Sequence, residues 1–88
     1  MIKATEDAMK LLKIILIAAE AEPNEGLRLL PTSSGQFLLA IDKELAGDKV
    51  IEYDGFKVLL VGIEYFNTIN GKTIDCDYSM NESVLFVR

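Results

Sequence analysis

The residues able to do chemistry in this chain are few, and their types exclude more than they suggest. There is one cysteine, Cys76, and no histidine. Without an imidazole, serine–histidine and cysteine–histidine catalysis and histidine metal sites are ruled out. Ser33 and Ser34 precede Gly35, but no recognisable motif sets Lys43 or Lys49 beside them as a base. The Ser-Ser-Gly segment also leads into a strand-like pattern, so it lacks the helix N-terminus on which phosphate cradles are built. An enzyme is not indicated.

Oxygen ligands fare little better. Asp75, Asp77, Ser79 and Asn81 alternate like the first half of a calcium loop, yet Met80 stands at its glycine position and Phe86 where the bidentate glutamate belongs. Solvated strand carboxylates are the simpler reading. Asp42, Glu44, Asp48, Glu52 and Asp54 gather negative charge near two turns, a weak attraction for a cation and an ordinary composition for turns. Cys76 lies in the segment where Ile74, Cys76 and Tyr78 alternate against Thr73, Asp75 and Asp77. That phase assigns it to an apolar face as a small buried hydrophobe. A metal-ligand role for Cys76 is the alternative.

The net charge of −5 comes from scattered residues with no basic cluster, so phosphate backbones are repelled and nucleic acid is excluded as a partner. Anionic membrane surfaces are disfavoured for the same reason. No apolar run approaches the roughly 20 residues of a membrane span. The apolar stretch within 11–21 is short, broken by Lys13 and preceded by Glu6 and Asp7, unlike a secretory leader. A lone cysteine requires no oxidising compartment, so cytoplasm is the expected location. At 88 residues, 1–88 is expected to form one domain around one core.

These residues must be positioned by a helix followed by short strands. Apolar Ala8, Leu11, Leu12, Ile15, Ala18 and Ala19 recur at helical spacing, predicting an amphipathic helix over 4–22, with Thr5 as N-cap and Pro23-Asn24 as its stop. Lys3, Glu6, Asp7, Lys10 and Lys13 form its polar stripe. Ile14 and Ile17 interrupt that stripe and predict a second half covered on most sides, with a partner surface as the alternative. From Gly26 the period becomes strand-like. Leu27 and Leu29 flank an outward Arg28, and 37–41 is apolar on both faces, as in a doubly covered central strand. Asp54-Gly55 predicts a two-residue type I′ hairpin. Residues 63–69 suit one short helical turn, Asn70-Gly71 opens the next strand, and 84–87 forms the last. Tyr53, Phe56, Tyr65 and Phe66 are assigned to core packing, with a groove as the alternative. The pattern gives a mainly β, α+β architecture of about six short, antiparallel-rich strands with one N-terminal helix.

Gly26-Leu27-Arg28-Leu29, the Ser34-Gly35 loop, Gly47-Asp48, Asp54-Gly55-Phe56-Lys57-Val58 and Gly71-Lys72-Thr73-Ile74-Asp75 occur in the order and approximate spacing of a HesB-like domain. In these landmarks, and in the helix before them, the chain resembles the A-type iron–sulfur carrier family over almost its whole length. The resemblance implies a HesB-like β-sandwich and a link to iron–sulfur cluster assembly. It also implies three cysteine ligands, one just after the Ser-Gly loop and a Cys-Gly-Cys near the C-terminus. Gln36 stands at the first of these positions, and the sequence reaches Arg88 before the other two.

The expected function is accordingly non-enzymatic: a carrier-like interaction or small-ligand module that binds no cofactor by itself, with an unidentified protein partner. The resemblance is compatible with a homo-oligomer. The alternative is an iron or iron–sulfur protein that uses Cys76 and acidic residues across such an oligomer.

Overall fold

The computed structural model describes residues 2–31, 37–79 and 82–87. The chain runs β1 (Lys3–Ala4), α1 (Glu6–Ala18), β2 (Glu25–Pro31), β3 (Phe37–Lys43), β4 (Lys49–Tyr53), β5 (Phe56–Val61), α2 (Ile63–Ile69), β6 (Thr73–Ser79) and β7 (Glu82–Val87). One sheet has the order β1-β6-β7 and the other β3-β2-β5-β4. Three strand pairs are antiparallel, while β1–β6 and β2–β5 are parallel. The α+β architecture with an N-terminal helix is the one expected, with the two-residue β1 added ahead of the helix. So short a strand carries no readable period.

Helix α1 begins as predicted. The Thr5 hydroxyl accepts the Ala8 N–H at 3.2 Å, and Glu6 and Asp7 occupy the first turn, where the helix dipole favours acids. It ends earlier than the sequence pattern suggests. Ala19 caps it, Glu20 turns left-handed at φ 55, and the N–H groups of Glu20 and Ala21 return to the carbonyls of Ile17 and Leu16. This is a Schellman closure with glutamate where glycine usually sits. Ala8, Leu12 and Leu16 are buried, whereas Ala18 and Ala19 are exposed. Ile14 and Ile17, expected to be covered, are 58% and 54% exposed.

One core joins the two sheets. Ala8, Leu12 and Leu16 of α1 meet Leu27 and Leu29 of β2, Val58, Leu59 and Val61 of β5, Ile69 of α2 and Ile74 of β6. The helix lies against both β5 and β6, so its apolar face is what each sheet packs on. Asp54 and Gly55, at φ 53 and 82, make the left-handed pair that a type I′ turn needs between β4 and β5. Lys13 of the helix pairs with Asp54 and holds its ammonium 5.4 Å from the Phe56 ring centre, tying α1 to that hairpin. Lys13 therefore leaves the solvent stripe assigned to it.

Strand β3, expected at a sheet centre, is an edge strand with Leu38 62% exposed. Its apolar run on both faces mimicked double burial. The chain must then pass from β3 at one edge to β4 at the other, a lateral span of roughly 14 Å for three strand spacings. Six Cα–Cα steps, from Lys43 to Lys49, reach at most about 20 Å. Residues 44–48 make the crossing over the face of the sheet opposite the core, because they bond to Arg28 and Lys57 there. Leu60, in register with Arg28, is fully buried on that side although it stands outside the core cluster.

Two backbone positions test this account. A Cβ on Gly26 would collide with the Lys57 carbonyl oxygen across the parallel β2–β5 pair. Gly26→Ala should therefore cost about 3 kcal/mol by overpacking. Glu20→Gly should instead stabilise the chain by about 1 kcal/mol, by relieving a left-handed non-glycine residue. Urea unfolding followed by far-ultraviolet circular dichroism reads both, and a neutral Gly26→Ala would refute the close approach.

Candidate functional site

Strand β6 sets Cys76 opposite Leu85 of β7, half-buried and packed against the core on the same side as buried Ile74. This is the face its alternation predicted. Asp75 points the other way. Its Oδ1 accepts the Thr5 hydroxyl at 2.9 Å and the Cys76 N–H at 2.8 Å, while the Thr5 N–H donates to the Ile74 carbonyl at 2.9 Å. The residue that caps α1 thus also fastens it to β6, and the Asp75 carboxylate, next to Cys76 in the sequence, is engaged in that fastening.

Four of the five turn acids, Asp42, Glu44, Asp48 and Asp54, are engaged as well. Arg28, read from its flanking leucines as outward, does face away from the core, yet it is only 8% exposed. Its Nη1 and Nη2 donate to the two Asp48 oxygens at 3.0 and 2.7 Å. Its Nε donates to Asp42 Oδ2 at 2.6 Å, and Nη2 also reaches the Lys43 carbonyl at 3.0 Å. Asp48 further accepts the Leu45 N–H at 2.7 Å, which folds the crossover down over the guanidinium. A fork of donors facing a carboxylate is the strong, directional form of ion pair. Glu44 pairs with Lys57 at 3.1 Å, and Asp54 with Lys13. The sequence clue to this arrangement was an arginine in an apolar strand with acids 14 and 20 residues on, and it could not say which face the crossover would cover.

Hydrogen bonds from Arg28 hold the Asp48 carboxyl below the ordinary carboxylate range against the opposing effect of its burial. Asp42 is lowered by Arg28 and then by the Lys43 N–H. Arg28 is correspondingly held protonated, chiefly by Asp48. Nowhere among the described residues do three cysteine or acidic side chains converge as a metal site. The donor set does not fit an iron–sulfur cluster, which takes four ligands, mostly thiolates. Cys76 offers one, and the acids named above already serve cations or backbone of this chain.

Ser33, Ser34, Gln36, Met80 and Asn81 lie outside the described residues, as do the side chains of Asp77, Tyr78 and Ser79, so the serine, first-ligand and calcium-loop expectations rest there. Of the four aromatics, Tyr53, Phe56 and Tyr65 pack on the core, while Phe66 lines a pocket with Lys49. No helix among the described residues is long and apolar enough to cross a membrane.

The Arg28 clamp predicts a pH dependence. Carboxyls lowered in the folded state contribute stability that is complete above their unfolded value of about 3.9 and withdrawn as pH falls through the folded value. The native chain should therefore lose stability below about pH 4. Asp48→Asn, which leaves a buried guanidinium without its main counter-charge, should cost about 3 kcal/mol at neutral pH and flatten that acid limb. Urea midpoints collected from neutral to acid pH check both; an unchanged acid limb in the variant would assign the dependence to other carboxyls.

No protein-family model and no curated protein matches the sequence. Solved structures do. SufA of Escherichia coli, involved in biosynthesis of iron–sulfur clusters, superposes with a TM-score of 0.78 at 20% identity, over 99% of this chain and 83% of that one. IscA with a 2Fe–2S cluster gives 0.69 at 12% identity, over 100% and 84%. A protein from Aquifex aeolicus gives 0.65 at 24%, over 99% and 89%. At these identities the likeness is one of fold, and it agrees with the order of the sequence landmarks from α1 to β6. The chain therefore has the HesB-like α+β fold of the A-type iron–sulfur carriers, with a single cysteine set within it.

Proposed function

We propose that this protein is a non-enzymatic relative of the iron–sulfur carriers that binds no cluster by itself and acts as an interaction or small-ligand module. The observation that supports this reading is the commitment of its candidate ligands. The thiol of Cys76 packs on the core, Asp75 is bonded to Thr5, and Asp42, Asp48, Glu44 and Asp54 answer Arg28, Lys57 and Lys13. Freeing any of these carboxylates for a metal would unpair a cation or a helix cap. A pair of chains would bring two thiolates, half of the usual cluster complement.

Anaerobic reconstitution with iron and sulfide, followed by absorption spectroscopy and size exclusion, tests the proposal. The expected product is colourless, with no iron retained after desalting. A stable visible chromophore that disappears in Cys76→Ser would overturn the reading in favour of a cluster shared between chains.

A further inference from the structure

The first residues of the chain, the paired ends of β4 and β5, and α2 enclose a pocket of about 280 Å³. Ile2, Val50, Ile51, Val61 and Phe66 supply apolar walls, and among the described residues Lys49 is the one charged side chain that lines it. Lys49 stands opposite Val61 in the β4–β5 register, so its stem starts beside the buried wall. Its ammonium sits 5.3 Å from the Phe66 ring centre. Arg28, Lys10, Lys13 and Lys57 each hold a carboxylate, but the ion pairs among the described residues do not include Lys49. In a chain with 14 acidic residues to 9 basic ones, this cation stands at an apolar opening, and its partner among the described residues is an aromatic face.

An apolar hollow with one fixed cation selects for both ends of a ligand at once: a hydrocarbon body that leaves water, and one anionic head. A single ammonium matches a singly charged carboxylate; a phosphate dianion calls for several donors, most often arginine forks. At roughly 30 Å³ per heavy atom, the share of a water in its liquid, the hollow takes about nine such atoms. We propose that this pocket binds a small aliphatic monocarboxylate, its chain against Ile51, Val61 and Phe66 and its carboxylate on Lys49. This rests on the small-ligand half of the function proposed above.

Hexanoate is the probe, with hexan-1-ol and hexylamine as its neutral and cationic counterparts, titrated into the full 88-residue chain and followed by two-dimensional amide NMR. Saturable shifts are expected at Ile2, Lys49 to Ile51, Val61 and Phe66, with hexanoate bound more tightly than hexanol and hexylamine excluded. Lys49→Gln, at an exposed position, should weaken hexanoate about fivefold and leave hexanol unchanged. Shifts that do not saturate by roughly 10 mM, shifts centred elsewhere, or equal hexanoate binding by Lys49→Gln would each overturn the site. Reconstitution of the same samples keeps the two ideas apart. A colourless protein indifferent to hexanoate sinks the carboxylate site alone, whereas a coloured protein that still binds hexanoate sinks only the cluster-free reading.

Discussion

The buried guanidinium of Arg28 is the interaction on which the larger sheet depends. Its order, β3-β2-β5-β4, places consecutive strands β3 and β4 on opposite edges, so a short connection has to lie across the two central strands. The outer face of those strands presents an arginine at that point. Leaving it buried without partners would cost several kcal/mol; the crossover supplies the Asp48 carboxylate in compensation, and the end of β3 adds Asp42 and the Lys43 carbonyl. In return the arginine fixes where the crossover runs, on the side of the sheet where Leu60 is buried. A buried ion pair adds little net stability compared with an apolar replacement, but it specifies one arrangement among several of similar compactness. Here it pins the route of a chain segment.

A similar economy appears at the other sheet. Thr5 caps α1 through its hydroxyl oxygen, donates the hydroxyl hydrogen to Asp75, and gives its N–H to Ile74. One residue therefore ends β1, begins α1 and joins both to β6. Because α1 packs on both sheets, the two sheets are aligned through the helix. Asp75 beside Cys76 is thus explained by architecture, and that in turn removes it from the list of free ligands.

Local signals in the sequence were reliable where the deciding interactions are local. The Thr5 cap, the Asp54-Gly55 turn, the α2 turns at 63–69 and the facing of Ile74 and Cys76 depend on neighbours within a few residues, and all are found. The covering of Arg28, the ion pair of Lys13 and the edge position of 37–41 are not legible locally, because their environment is set by segments far along the chain. A leucine-flanked arginine has the same alternation whether solvent or a crossover lies above it. An apolar run such as 37–41 can be a central strand or an edge with Leu38 left bare. Ile14 and Ile17 show the same ambiguity on a helix. The order of glycine-centred landmarks carried the fold further than periodicity did, since each marks a turn or a close approach such as that of Gly26 to Lys57.

The pairing of β1 with β6 joins Lys3 to Thr73 and Ala4 to Ile74, two ends of the chain separated by some 70 residues. Contacts of such sequence distance are slow to form, because the entropy of closing the loop is spent before they reward it. During synthesis α1 emerges well before the strand that fastens its cap and the Ile74 that covers its core face. Until then its apolar stripe has β2, the β4–β5 hairpin and Ile69 of α2 to lean on. The HesB-like sheet pair is thus a fold that completes itself late, and the nascent helix must stay out of wrong company until β6 arrives.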